Sequence, residues 1–370
     1  MQDRRLHIAR HAAGYDAGMP LTRVAFGVDR EGRRAEAFVL RSTAGLEAWL
    51  IGHGASLARL RVPDRHGSLG DVVLGFPSLA DYQERHPYLG AVVGRHANRI
   101  RDGRFKLDGR DIALACNDGA HHLHGGPEGF DRRAWTATPL AVGEAPAIES
   151  ALHSAEGDQG YPGALEVRVV YTLHDDTLRL DYLAAASAAT PVNLTQHAYF
   201  DLAGHGDIRG QHLRLAASHY LPVDAQLVPT GERRAVEGTP FDFRSGALIG
   251  ERLQALAQQQ PQAPGFDHCF VIDGEPGVVR LAAELDDPRS GRRLRVLTDQ
   301  PGLQVYTGNF LDGSLRNRDG RALGRHAGLC LEAQRFPDGP NHPGFPDAIL
   351  RPGQVYRQTT VLEFPPQGSA

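Results

Sequence analysis

Apolar residues in this chain recur at every second position in short runs, and the runs are cut by glycine, proline, aspartate and asparagine. Leu165-Glu166-Val167-Arg168-Val169-Val170-Tyr171 and Leu178-Arg179-Leu180-Asp181-Tyr182-Leu183 are two such runs, and residues 354–364 hold another. A period of two lines one face of an extended strand, whereas a helix needs a period near 3.6. Such a chain folds as antiparallel strands joined by tight turns, and 43 glycines and 24 prolines supply the turn residues. Helical pattern is scarce. Residues 78–85 read as a short helix with Ser78 as N-cap, and residues 248–259 as a second one ended by Pro261. The expectation is an all-β fold, one large antiparallel β-sandwich over residues 21–366, since no repeat or long linker divides it. Residues 1–20 are rich in Arg and His and lack an apolar h-region, so they read as a disordered extension rather than a secretory signal.

Composition narrows the function classes. With 370 residues, 41% of them hydrophobic, the chain can bury a sizeable core. A net charge of -4 offers no basic surface for nucleic acid or an anionic membrane. Lys106 is the only lysine, an arginine bias that reads as compositional rather than functional. No apolar run approaches the ~18 residues of a membrane-spanning helix. Cys116, Cys269 and Cys330 lie far apart without metal spacing, which suits free thiols in a reducing compartment, the cytoplasm. The expected partner is a small molecule, with no cofactor, and the protein is expected as a monomer or homodimer.

Two segments break the apolar pattern in an informative way. Asn193-Leu194-Thr195-Gln196-His197-Ala198-Tyr199-Phe200 carries His197, and Gly328-Leu329-Cys330-Leu331-Glu332-Ala333-Gln334 carries Glu332. Desolvating a carboxylate is costly, so a glutamate inside a strand needs a partner or a task. A His and a Glu at one site make a general acid and a general base. Opposite charges in one cleft favour a protonated His197 and an ionised Glu332. Four further segments carry Asn98 with Arg99, the histidines His121, His122 and His124, Asp267, and Gln304. Each has a structural reading. Asn98 and Arg99 can close a turn, Asp267 can bond its own backbone, Gln304 can face outward, and a lone His197 is commonly a core residue. The three clustered histidines read as solvated loop residues, and no Cys or carboxylate spacing beside them suggests a metal. As a set, these Asn, Arg, His, Asp, Gln and Glu side chains are the types that bind sugar hydroxyls. Phe200, Phe310 and Phe336 lie beside them in sequence as candidate platforms for sugar C–H faces.

From about residue 22 to residue 364 the chain resembles the aldose 1-epimerase (galactose mutarotase) family. The matching stretches run in order through residues 90–100, Leu123-His124-Gly125-Gly126, Pro191-Val192-Asn193-Leu194-Thr195, Gly265-Phe266-Asp267-His268, Tyr306-Thr307-Gly308-Asn309-Phe310 and Glu332. The resemblance implies a galactose-mutarotase-like β-supersandwich that interconverts sugar anomers without metal or cofactor. It implies Glu332 as general base, His197 as general acid, and Asn98, Arg99, His124, Tyr199, Asp267 and Gln304 as sugar contacts. The chain departs from the family pattern at His96, Gln196, Asp201 and Cys269, all beside the key residues rather than on them. Three rivals stand beside this reading. They are an epimerase acting on a phosphorylated hexose, a non-catalytic sugar-binding protein, and a glycoside hydrolase, which would want two carboxylates flanking the bond.

Overall fold

A computed structural model describes residues 20–366 apart from 85 and 261, so residues 1–19 of the expected extension lie outside the described residues. The ladders between named strands are all antiparallel, as the alternation predicts. Strands Leu21–Val28, Arg34–Arg41, Glu47–Ile51, Ser56–Pro63 and Leu69–Asp71 form a five-stranded meander. A nine-stranded sheet is built around Ala145–Ser154, Leu165–His174, Thr177–Ala186 and Tyr356–Glu363. A six-stranded sheet follows the order Tyr199–Phe200, Leu329–Gln334, Gly302–Tyr306, Asp267–Val271, His219–Tyr220, Arg234–Ala235.

The six-stranded sheet packs on the nine-stranded one, and period two decides which side chains go inside. Leu329, Leu331, Ala333, Leu303, Val305 and Phe270 join Leu180, Tyr182, Val296 and Leu362 in the main apolar cluster. Alternation turns Cys330, Glu332, Gln304, Tyr306 and Asp267 to the opposite face. That face is covered in turn: Cys330, Tyr306 and Tyr199 share a second apolar cluster with Phe26, Ala37, Ile51 and Ala58 of the meander. All six residues of Leu329–Gln334 are therefore buried. A one-residue slip would drive Glu332 into the apolar layer and turn Leu329 and Leu331 out of it, at about 1.5–3 kcal/mol for each exposed leucine. Register here is strongly specified.

Both expected helices form. Leu79–Gln83 is capped by Ser78, whose hydroxyl accepts from the Asp81 amide, and Ile249–Gln259 is the second. The histidine cluster departs from expectation, because His121, His122 and His124 are all buried rather than solvated. Polar partners make this tolerable. His121 Nδ1 accepts from the Asp102 amide, and His122 bonds the Ala115 carbonyl and, at 2.7 Å, the Tyr161 hydroxyl. Phe200 and Phe336 also depart from expectation, since each is buried in an apolar cluster and presents no platform.

Gly125, next to His124, has φ +90, and a Cβ there would lie 1.8 Å from the Gly94 carbonyl oxygen. Both the conformation and the contact exclude a side chain. Gly125→Ala is expected to cost about 3 kcal/mol or more, read as a lowered thermal unfolding midpoint. An unchanged midpoint would show that this turn can relax.

Candidate active site

The two chemically informative segments meet because polar side chains stitch them together. Asn193 accepts from the Arg335 amide at 2.8 Å and donates to the Arg335 carbonyl, and the Thr195 hydroxyl donates to the Ala333 carbonyl at 3.0 Å. Gln196 donates to the Gly90 carbonyl and accepts from the Ala198 amide, each at 2.7 Å, which fixes the turn at His197. The His197 amide itself donates to the Ala91 carbonyl. These bonds hold residues 193–199 against Leu329–Gln334 and place His197 Nε2 3.7 Å from Glu332 Oε1. Neither side chain is more than 4% exposed.

The pair forms the floor of a cavity of about 110 Å³, lined also by Asn98, Arg99, His124, Tyr199 and Asp267. Larger grooves, of about 710 and 320 Å³, lie around Arg292 and Pro365, but there Arg214 is paired with Glu284 and Arg293 with Asp286, and Arg292 bonds backbone carbonyls. The small cavity is where the chemistry converges. Seven of the eight expected site residues line it. Gln304 does not; it stands opposite Glu332 in the ladder and donates from Nε2 to Asp267 Oδ1 at 2.7 Å. Its position orients Asp267 from behind. Arg99 is held from behind too, its Nε donating to Asp118 at 2.7 Å.

Tyr88, Pro87, Leu123, Tyr306 and Phe310 complete the lining. Tyr306 follows Gln304 by two residues, so alternation alone puts it on the site face. Phe310 is 60% exposed at the rim, with its ring stacked on Tyr306. Tyr88 carries no sequence signal. Its ring lies 4.5 Å from that of His124 and 5.6 Å from that of His197. Tyr88, Asn98 and His124 all have positive φ, +59, +62 and +51. Strained non-glycine backbone costs on the order of 1–3 kcal/mol per residue and gathers where geometry serves function.

Burial controls the protonation of the pair. It pushes the His197 imidazole down to about 4 and holds His124 well below its ordinary value. It raises the Glu332 carboxyl well above the usual range, and the nearby Asp267 carboxylate raises it further. Desolvation thus disfavours the charged form of both groups and works against the mutual attraction of the expected charged pair. His124, His197 and Glu332 each bring a possible metal donor within 4.8 Å of the others. The tautomer of His124 opposes a metal. Its Nδ1 accepts from the Asn98 amide at 3.2 Å, so its Nε2 carries the hydrogen and is a donor rather than a ligand.

The architecture is that of the galactose-mutarotase-like β-sandwich. It matches a galactose 1-epimerase from Lactobacillus acidophilus (TM-score 0.82, 28% identity, 94% of this chain and 99% of that one). It also matches an aldose epimerase homologue from C. elegans (TM-score 0.81, 31% identity, 88% of this chain and 98% of that one). In sequence, galactose mutarotase from Rattus norvegicus is 45% identical over 93% of this chain and 98% of its own length. Aldose 1-epimerase from Escherichia coli K12 is 38% identical over 90% and 96%. The family model for aldose 1-epimerase matches residues 36–363, and the chain belongs to that family. Its activity is that of an aldose 1-epimerase, an isomerase, and its substrate is a small-molecule sugar. Among the described residues no helix is long and apolar enough to cross a membrane.

The buried carboxyl has a measurable consequence for stability. Burial raises the folded Glu332 carboxyl above its unfolded value of 4.5, so this stabilisation is present below that pH and is lost as pH rises through the folded pKa. Glu332→Gln removes the effect. Its stability relative to wild type should rise as pH climbs above 4.5, by up to about 1.4 kcal/mol per pH unit while the folded carboxyl stays protonated. Parallel stability curves for the two proteins would show an ordinary carboxylate instead.

Proposed function

We propose that this enzyme interconverts the α and β anomers of free hexoses such as glucose and galactose, with Glu332 as general base and His197 as general acid. The 3.7 Å approach of His197 Nε2 to Glu332 Oε1 on the cavity floor carries the proposal. The pair shares one exchangeable proton, which rests on Glu332 in the dry site. Hydroxyls of a bound sugar donate to the carboxylate and favour its charged form, which moves the proton to His197 Nε2. Glu332 then takes the anomeric hydroxyl proton while Nε2–H protonates the ring oxygen. The C1–O5 bond breaks and leaves the free aldehyde. Rotation about C1–C2 presents the other carbonyl face, and closure returns both protons. His124 Nε2–H and the Arg99 guanidinium donate to sugar hydroxyls, and Asp267 accepts from them, with Asn98 and Tyr199 completing the contacts.

A phosphorylated hexose is the second reading of the same fold. Arg99 is the one cation among the lining residues, it is already paired with Asp118, and Glu332 and Asp267 share its cavity. A dianionic phosphate gains little there, which favours the free sugar. The free thiols of Cys116, Cys269 and Cys330 support a reducing compartment, the cytoplasm. The main apolar cluster draws on residues from Leu21 to Phe364, which supports one domain over residues 21–366.

Polarimetry on freshly dissolved α-D-glucose and α-D-galactose tests the proposal. Wild type should speed the approach to the final rotation. Glu332→Gln and His197→Asn should each lose at least ~10²-fold in kcat, the scale of one positioned acid or base. Near-wild-type turnover in either variant removes that role. Acceleration confined to glucose 6-phosphate would favour the second reading. Asp267→Ala should act mainly on saturation, raising KM for sugar about tenfold or more, as expected for loss of a hydrogen bond to a charged group.

A further inference from the structure

Cys330 lies on the same face of the same strand as Glu332, two residues earlier, and its sulfur is 3.5 Å from His197 Nδ1. Its side chain is fully buried. Tyr199 stands opposite it in the ladder. The Tyr199 ring also stacks on the His197 ring at 5.1 Å and 30°. The plane of the imidazole is thus set by Tyr199, its inner edge meets the sulfur, and its outer edge meets Glu332.

We propose that the Cys330 sulfur accepts the Nδ1 hydrogen of His197, which makes Nε2 the nitrogen that exchanges protons with Glu332 and the sugar. The proposal rests on the reading of His197 as general acid and deepens it. In the neutral pair Glu332 carries the hydrogen that faces Nε2, so Nε2 is the acceptor and the ring hydrogen must sit on Nδ1. In the charged pair both nitrogens carry hydrogen, and Nδ1–H again needs an acceptor. The thiol serves both states because it keeps its own proton, burial having pushed it well above the ordinary thiol range. Sulfur is a weak acceptor, so it orients the ring without the basicity that a carboxylate partner would confer. His197 therefore remains a strong acid once protonated. His124 provides the contrast. The Asn98 amide donates to its Nδ1 at 3.2 Å, which fixes the other tautomer and leaves Nε2–H as a donor for sugar hydroxyls. Two histidines whose rings lie 5.3 Å apart are thus held in opposite tautomers by what stands behind each Nδ1. Cys330 is a positioning residue in this scheme and touches no sugar.

The test is long-range ¹⁵N–¹H NMR of histidine-labelled protein above pH 6, with His197 assigned by its disappearance in His197→Asn. Wild type should show His197 protonated at Nδ1 and His124 at Nε2. Cys330→Val, close to the same volume without an acceptor, should move His197 toward the Nε2–H form. Its kcat should fall about tenfold or more with KM changed less than about threefold. Cys330→Ser, which keeps an acceptor oxygen, should recover most of the activity. An Nε2–H tautomer for His197 in wild type overturns the proposal, even if Cys330→Val fails to fold. So does a folded Cys330→Val with wild-type kcat and tautomer. Failure of the general-acid reading is distinguishable, because it appears as retained activity in His197→Asn whatever the tautomer.

Discussion

The placement of a carboxyl group on a strand buried on both faces is the constraint from which the rest of the site follows. Leu329, Leu331 and Ala333 occupy the inter-sheet core, and Cys330 and Glu332 point the other way into a layer covered by the meander. Both faces of the strand that carries Glu332 are thus buried, with Glu332 itself facing the small cavity. An isolated ionised carboxylate in such a place is unstable by several kcal/mol, so burial favours the protonated form of Glu332. In the proposed mechanism the neutral and charged forms of the pair differ only in the position of one proton.

Preorganisation comes from bonds that never touch a substrate. Asn193, Thr195 and Gln196 tie the His197 segment to backbone atoms of Arg335, Ala333 and Gly90. Gln304 holds Asp267, Asp118 holds Arg99, and the Asn98 amide holds His124. Positive φ at Tyr88, Asn98 and His124 adds strain that the surrounding sheets sustain. Such fixed donors and acceptors need no rearrangement when charge moves, and that is the setting in which electrostatic stabilisation is most effective. Two of the departures from the family pattern have structural roles here. Gln196 pins a turn, and Asp201 accepts from the Gly206 amide and the Gln211 side chain.

Much of this was legible in the chain. Alternation identified the strands, Ser78 marked a helix start, and a histidine and a glutamate inside apolar runs marked the pair. Seven of eight expected residues line one cavity because strand alternation puts Asp267 and Glu332 on one face, short strands carry Arg99 and Tyr199, and loops deliver Asn98, His124 and His197. Tyr88 was not legible, because it reaches the cavity from a loop through a left-handed backbone that no pattern announces. Gln304 was expected as a sugar contact from the family resemblance, and the structure adds a bond from its Nε2 to Asp267 that no sequence pattern announces. The clustered histidines looked solvated because partners such as the buried Tyr161 and the more exposed Gln226 are distant in sequence.

By itself the sequence determined the local facts: an antiparallel β architecture, the face on which each strand residue lies, and which chemical types stand where. These depend on alternation and turn chemistry, which act over a few residues. Only the tertiary structure decided that His197 and Cys330, 133 residues apart, are in contact, and that burial raises the Glu332 carboxyl well above its ordinary range. Those outcomes depend on distances closed by sheet packing and on how completely packing excludes water, and neither quantity is a property of any short stretch of chain.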